Sequence, residues 1–182
     1  MRPFPLAIPL LLCACGPMWY AEADSPEVCA TASDVAIPGA GAASGVATSL
    51  AYELGGEIPV LEEPGVEYEL RILDLRVAVV QGATTDLAGV ERLRLLVLPP
   101  PGTDLPDMEV VSYAPATSGP PPTVIAAAAR SDVDLAPYLT AGRLDLRVEY
   151  EGAGLPADAW TAEVRACFRL RVRLDYDDLI AL

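Results

Sequence analysis

Residues 160–176 read WTAEVRACFRLRVRLDY, and apolar and polar side chains alternate along the whole segment. A period of two is that of a β-strand, whose successive side chains point to opposite faces of a sheet. One face is apolar from Trp160 to Tyr176, whereas the other carries Cys167 and four arginines. We therefore predict a long strand with one face on a core, and we place Cys167 on the solvent face.

The segment before it, 143–151, alternates in the same way and is separated from 160–176 by glycines and a proline in 152–156. This arrangement predicts an antiparallel hairpin, in which the acidic residues of 143–151 face Arg165, Arg169 and Arg171. Such opposite charges would form a cross-strand ion ladder. The alternative is that the arginine row contacts an anion or a sugar acid.

Other apolar segments between proline and glycine breaks also predict strands. They are Val28 to Ile37, Val46 to Leu54, Tyr68 to Val80, Glu91 to Leu98, Met108 to Tyr113 and Thr123 to Ala129. In the third of these the alternation changes phase around 72–75, which indicates a β-bulge. Many short strands with few helices predict an all-β fold, a two-sheet antiparallel β-sandwich that is immunoglobulin-like or related. An eight-stranded β-barrel is the alternative.

The amino terminus has the features of an export signal. Arg2 precedes an uncharged run from Phe4 to Cys15. This run is shorter than the about 20 apolar residues that cross a bilayer, and it fits a secretory leader. It ends in Leu12-Cys13-Ala14-Cys15, which resembles the lipobox of bacterial lipoproteins.

The resemblance implies that residues 1–14 are a signal peptide and that Cys15 is the lipid attachment site, with acyl chains such as palmitate. Two or more acyl chains give stable anchoring. Residues 15–26 are then expected to be a tether and residues 27–182 a single sandwich domain. Gly16, which is not aspartate, favours the outer membrane over the inner membrane. A cut near Ala21 or Ala23 would instead give a secreted protein.

The four cysteines fit this interpretation. Cys13 would leave with the leader and Cys15 would carry lipid, which leaves Cys29 and Cys167 in an oxidising compartment. We therefore predict a disulfide between Cys29 and Cys167. A reactive thiol and a zinc site are the alternatives, although two cysteines without histidine do not make the usual four-ligand zinc set.

Composition excludes several functions. The net charge is −14 at pH 7, so a nucleic-acid partner is not expected. The chain has no histidine and no lysine, so it cannot supply a histidine-based catalytic triad, a histidine metal site or a Schiff base. We nominate no catalytic residue and no cofactor.

Paired acids are the best metal candidates, and they are weak ones. They are Asp132, Asp134, Asp175, Asp177 and Asp178. Calcium takes six to eight oxygen ligands, but neither cluster has the spaced third acid and the glycine of a complete calcium loop. The other interpretation is a helix cap at Asp134 and a solvated acidic tail.

These observations predict a non-enzymatic binding or structural module of the cell envelope, anchored by lipid and acting through contacts with a partner protein. One alternative is a carrier that holds a small apolar ligand in a barrel cavity. A second is a hydrolase that uses two carboxylates.

Overall fold

The computed structural model describes residues 20–41, 43–54, 67–82, 86–115 and 122–175. Within these ranges the chain forms antiparallel strands and a 3₁₀ helix, Ala136–Tyr138. The strands are β1 (Tyr20–Asp24), β2 (Val28–Ile37), β3 (Gly45–Glu53), β4 (Glu67–Gly82), β5 (Arg92–Val97), β6 (Met108–Tyr113), β7 (Val124–Ala128), β8 (Arg143–Glu151) and β9 (Trp160–Asp175). No helix in the described ranges is long and apolar enough to cross a bilayer.

The strands form two sheets, as the alternating sequence patterns predict. Sheet A has the order β2-β9-β4-β7, and β1 extends it by pairing with the last residues of β9. Sheet B has the order β3-β8-β5-β6. Two sheets with these strand orders are the double Greek key known as a jelly roll. The predicted two-sheet antiparallel β-sandwich is confirmed, and its strand order differs from that of the immunoglobulin sandwich.

The predicted hairpin between 143–151 and 160–176 is wrong. These segments are β8 and β9, and they lie in different sheets. The backbone of the connection at Gly152 and Gly154 packs directly on Gly89, leaving no room for a Cβ at Gly152 or Gly89. The chain crosses from one sheet to the other.

The core lies between the two sheets and is filled with side chains. Apolar residues on the inner faces of β4, β5, β8 and β9 are completely buried, among them Leu70, Ile72, Leu93, Leu95, Leu144, Leu146 and Phe168. Tyr150 and Trp160 make an edge-to-face contact across the core, with ring centroids 5.7 Å apart. The Tyr52 hydroxyl donates to the Val164 carbonyl oxygen at 2.7 Å and joins sheet B to sheet A. The alternating residues of β9 thus face the core as predicted.

Two local features shape the outer face of sheet A. The pairing of β4 with β9 shifts register between Ile72 and Asp74, so Leu73 is the extra residue of a bulge, as predicted. The bulge brings Asp74 opposite Cys167. At the amino terminus, β1 lies within the segment predicted as a tether, and the Ser25 amide donates to the Leu170 carbonyl oxygen at 2.7 Å. Residues 20–24 of the predicted tether are therefore part of sheet A.

Candidate functional site

The outer face of sheet A carries many charged side chains because β4 and β9 alternate apolar and charged residues. Its arginines are Arg71, Arg76, Arg165, Arg169, Arg171 and Arg173, and its acids include Glu69, Asp74 and Glu163. The register of these two central strands decides which charges become neighbours.

The register places arginine opposite arginine twice, with Arg71 paired to Arg169 and Arg76 paired to Arg165. Like charges directly opposite on antiparallel strands destabilise the pairing. Arg71 is compensated by Glu69, which accepts a hydrogen bond from its Nε at 2.8 Å. Over the described ranges, Arg76, Arg165 and Arg169 make no ion pair or hydrogen bond through their side chains.

Elsewhere on the same face, an arginine is paired with an acid. The Arg171 Nε donates to Asp24 Oδ1 on β1 at 2.9 Å. This hydrogen bond lowers the pKa of Asp24 and raises the pKa of Arg171. Both side chains are about half exposed, so the pair contributes little to stability. Arg76 and Arg165 differ because no carboxylate on the described face meets them in this way.

Arg76 and Arg165 line a groove of about 370 Å³ together with Glu27, Asp74, Ala126, Ala127, Ala128 and Cys167. The short alanine side chains of β7 keep the groove open on one side. Asp74 Oδ1 is buried there and has no hydrogen-bond partner in the part of the chain that the structure describes. Buried polar atoms are normally hydrogen-bonded. The groove therefore combines two unpaired cationic donors with an unpaired acceptor.

The disulfide between Cys29 and Cys167 borders this groove, which confirms the predicted pairing. The two residues are directly opposite on β2 and β9, and Cys167 lies on the outer face as predicted, but it is only 2% exposed and does not meet solvent. Glu27, Cys29 and Cys167 place their ligand atoms within 4.8 Å of one another. The sulfurs are bonded to each other, so neither is a thiolate that could bind a metal or act as a nucleophile.

A small apolar patch adjoins the groove. The exposed fractions are 54% for Val80 on β4 and 45% for Val124 on β7. Val124 lies opposite Ala78, and Val80 lies two residues further along β4, at a second register shift between Val79 and Gln81. Isolated exposed valines are common, but these two lie beside unpaired arginines.

Sheet B differs, because two of its arginines contact carboxylates. Arg94 on β5 contacts Glu149 at 2.6 Å and Glu151 at 3.1 Å, both on β8. Arg147 contacts Asp107 at 2.6 Å and Glu149 at 3.0 Å. The acids of β8 that were predicted to face the arginines of β9 thus neutralise arginines of sheet B instead, since β8 pairs with β3 and β5.

The described calcium candidates already have partners within the chain. Asp132 contacts Arg130 at 2.8 Å, and this hydrogen bond lowers the pKa of Asp132. Asp134 Oδ1 accepts hydrogen bonds from the Leu70 and Ala136 amides, each at 3.0 Å. Asp134 therefore closes a turn just before the 3₁₀ helix, whose N-cap is Leu135 and not Asp134 as the alternative interpretation predicted. The side chains of Asp175, Asp177 and Asp178, and Cys15, the predicted lipid attachment site, lie outside the described residues.

Sequence reasoning found the arginines of β9 but not the groove. The groove depends on the register between β4 and β9 and on β7 as a neighbour, and neither is visible in the alternation of one strand. The one indication of the groove in the sequence is the change of phase at 72–75, because the bulge there brings Asp74 to the outer face.

The comparisons with known proteins give little information about function. No family model matches the chain, and no curated protein matches it. A chain of Desmodium yellow mottle tymovirus is similar at 9% identity, covering 96% of this chain and 94% of that chain, with a TM-score of 0.39. A chain described as "CBM4 structure and function" is similar at 19% identity, covering 81% of this chain and 89% of that chain, with a TM-score of 0.26. Both TM-scores are too low to support a conclusion, so the fold assignment rests on the strand order.

Proposed function

We propose that this protein is a lipid-anchored protein of the cell envelope and a non-enzymatic binding module, whose outer face of sheet A contacts a partner protein. The observation that carries the proposal is the combination of Arg76 and Arg165, unpaired within the described chain, with the exposed Val80 and Val124 on one face. Arginine is enriched at protein interfaces and at their hot spots, whereas charged residues are depleted from interface cores. A partner that pairs the arginines and covers the valines would satisfy both features.

The filled core supports a surface site over a carrier function. Inward side chains of both sheets are buried against one another, including Tyr150 and Phe168 among the largest. A carrier of a small apolar ligand needs an interior cavity of several hundred Å³. The groove of about 370 Å³ instead lies on the outer face and is lined by charged side chains.

Two features support the envelope location. The Cys29–Cys167 disulfide is of a kind that persists in exported proteins and is rare in the cytosol. The amino-terminal run ending at Cys15 resembles a lipobox. In this proposal the domain stays close to the membrane, because β1 begins at Tyr20, only a few residues after the proposed anchor.

The partner contact is testable by site-specific photocross-linking in cells. A photoreactive residue replaces Ala126 in the groove or, as a matched control, Ala47 on the exposed face of sheet B. We expect a cross-linked product at position 126 that is absent at position 47 and is lost in a double variant, Arg76→Glu with Arg165→Glu. Arg92→Glu, an exposed arginine of sheet B, should leave the product unchanged. Equal products from both faces would contradict the proposal.

The anchor is tested separately by intact mass spectrometry of the membrane fraction. We expect cleavage before Cys15, added acyl chains and a gain of two hydrogens on reduction. Cys15→Ala should abolish acylation and release the protein from the membrane. An unacylated mass that ends near Ala21 or Ala23 would refute the lipid anchor but would leave the partner contact open.

A further inference from the structure

We propose that the free edge of β7 accepts an extended segment of the partner protein as an added strand, and that one acidic residue of this segment binds Arg76 and Arg165. This inference, which rests on the proposed function of the outer face of sheet A, names the chemistry of the partner. It requires a strand edge that is free to pair, room for a side chain of the added strand to reach the arginines, and neighbouring residues that accept only one acid.

The backbone of β7 provides the edge. The Ala129 amide donates to the Leu73 carbonyl oxygen of β4 at 2.9 Å, whereas the next amide, Arg130, donates to Val110 of β6 at 2.8 Å. Because backbone groups alternate in direction along a strand, the even-numbered residues of β7 direct theirs away from β4. No strand of the described ranges pairs with that side of 124–127, whereas β6 occupies it from Ala128 onward through the bridge between Val111 and Ala129. An unpaired edge is a template for strand addition.

The short alanine side chains of β7 leave room for a side chain of the added strand to reach Arg76. An added strand would lie about 4.8 Å beyond β7 and therefore about 10 Å from β4. Ala126 lies opposite Arg76 in the β4–β7 register and is exposed. Since Ala126 ends at Cβ, a glutamate on the added strand can pass over it to the guanidinium of Arg76. Arg165 lies directly beyond Arg76 on β9, so both guanidinium groups can share one carboxylate.

The neighbouring residues restrict the segment to one acid. Asp74 lies opposite Ala128, and its buried Oδ1 lacks a hydrogen-bond donor in the described structure. The segment ends before Ala128, where β6 occupies the edge, and a second acid close to Asp74 would be repelled. Val124 lies on the other side of Ala126 and is exposed, so it favours an apolar residue. The expected segment is apolar, any, acidic, since alternate residues share one face.

An acidic peptide explains the open backbone edge, which an acidic polysaccharide would leave unused. Two probes distinguish an acidic peptide from an acidic polysaccharide. The first probe is a short fluorescein-labelled peptide with valine and glutamate at alternate positions, and its control has glutamine in place of glutamate. The second probe is polygalacturonic acid.

The experiment measures fluorescence anisotropy with the oxidised mature protein. We expect the glutamate peptide to bind at least about tenfold more tightly than the glutamine peptide, because hydrogen bonds to charged groups contribute at least this factor. Arg76→Gln with Arg165→Gln should remove the preference. Ala126→Pro should abolish binding, since it deletes an amide that faces the free edge and that β4 does not use. Ala47→Pro, at the edge of sheet B, should have no effect.

Circular dichroism establishes that each variant is folded. If Ala126→Pro unfolds the protein, Ala126→Val replaces it, because valine suits a strand but obstructs the path to Arg76. Equal affinity for the two peptides, unchanged binding by the Ala126 variant, or no binding at about 1 mM glutamate peptide would each overturn the inference. Binding of polygalacturonic acid without binding of the peptide would also overturn it. Cross-linking at position 126 in cells would then still support the proposed partner contact, so the two failures are distinguishable.

Discussion

Removing the Cys29–Cys167 disulfide should lower the free energy of unfolding by several kcal/mol. The bond joins residues 138 positions apart and closes almost the whole domain into one covalent loop. In the chain-entropy account, a loop of this length restricts the unfolded chain by about 5 kcal/mol at 25 °C. Native domains have free energies of unfolding of only about 5–15 kcal/mol, so the loss is a large fraction of the total.

The assay is urea unfolding of three forms of the protein: oxidised, reduced with dithiothreitol, and the double variant Cys29→Ala with Cys167→Ala. Alanine is preferred to serine because Cys167 is only 2% exposed and a serine hydroxyl would be buried there. The reduced protein keeps the sulfur atoms and loses only the bond. Its difference from the double variant therefore measures packing, and its difference from the oxidised protein measures the cross-link.

We expect the reduced protein to lose about 3–5 kcal/mol and the double variant to lose slightly more. The eight paired positions between β2 and β9 remain in both forms, so the fold should be retained under mild conditions. A loss below about 1 kcal/mol on reduction would refute the entropic reasoning. It would indicate that the unfolded chain is compact enough for the cross-link to restrict it little.

Further predictions concern the buried tyrosines and the crossover between the sheets. Tyr52→Phe should lower the free energy of unfolding by about 1–3 kcal/mol, because it leaves the Val164 carbonyl oxygen without its buried donor. Tyr150→Phe should be neutral or stabilising in the same urea assay, since the buried Tyr150 hydroxyl has no partner in the described structure. Burial raises the pKa of both tyrosines, so stability should be complete below the unfolded pKa of about 10 and fall as pH rises above it. An alkaline slope of stability that is unchanged in the Tyr52→Phe, Tyr150→Phe double variant would contradict this. Gly152→Ala should lower the melting temperature by several degrees, as its Cβ would collide with the Gly89 carbonyl oxygen; a wild-type melting temperature would show that the crossover can shift.

The alternation of side chains was sufficient to predict most strands but not their partners. A period of two shows which face of 160–176 meets a core, and the same holds for 143–151. It carries no information about which sheet a strand joins, so two consecutive strands were assigned to one hairpin. In the structure their apolar faces meet across the core, with Tyr150 against Trp160. The pattern of each strand is the same in both arrangements.

The elements that sequence reasoning missed have weak or non-local signals. β1 reads YAEAD, and its alanines give little apolar contrast, so its pairing with β9 is specified mainly by its partner. The groove requires Arg76 and Arg165 to be opposite, which depends on the long-range register of β4 and β9. The disulfide was predictable because it followed from the number of cysteines, and this inference does not depend on the register of the strands.

The position of the disulfide also determines how the domain bears mechanical load. Tyr20 pairs with Asp175, so the two ends of the described sheet lie side by side, and β1 precedes Cys29 in the chain. Tension applied between the two ends would peel β1 from β9 one residue pair at a time until it reached Cys29. From there the force would pass through the sulfur–sulfur bond to Cys167 and out along the end of β9. The residues between the two cysteines would carry no tension while the ends are pulled. They include most of both sheets and the groove.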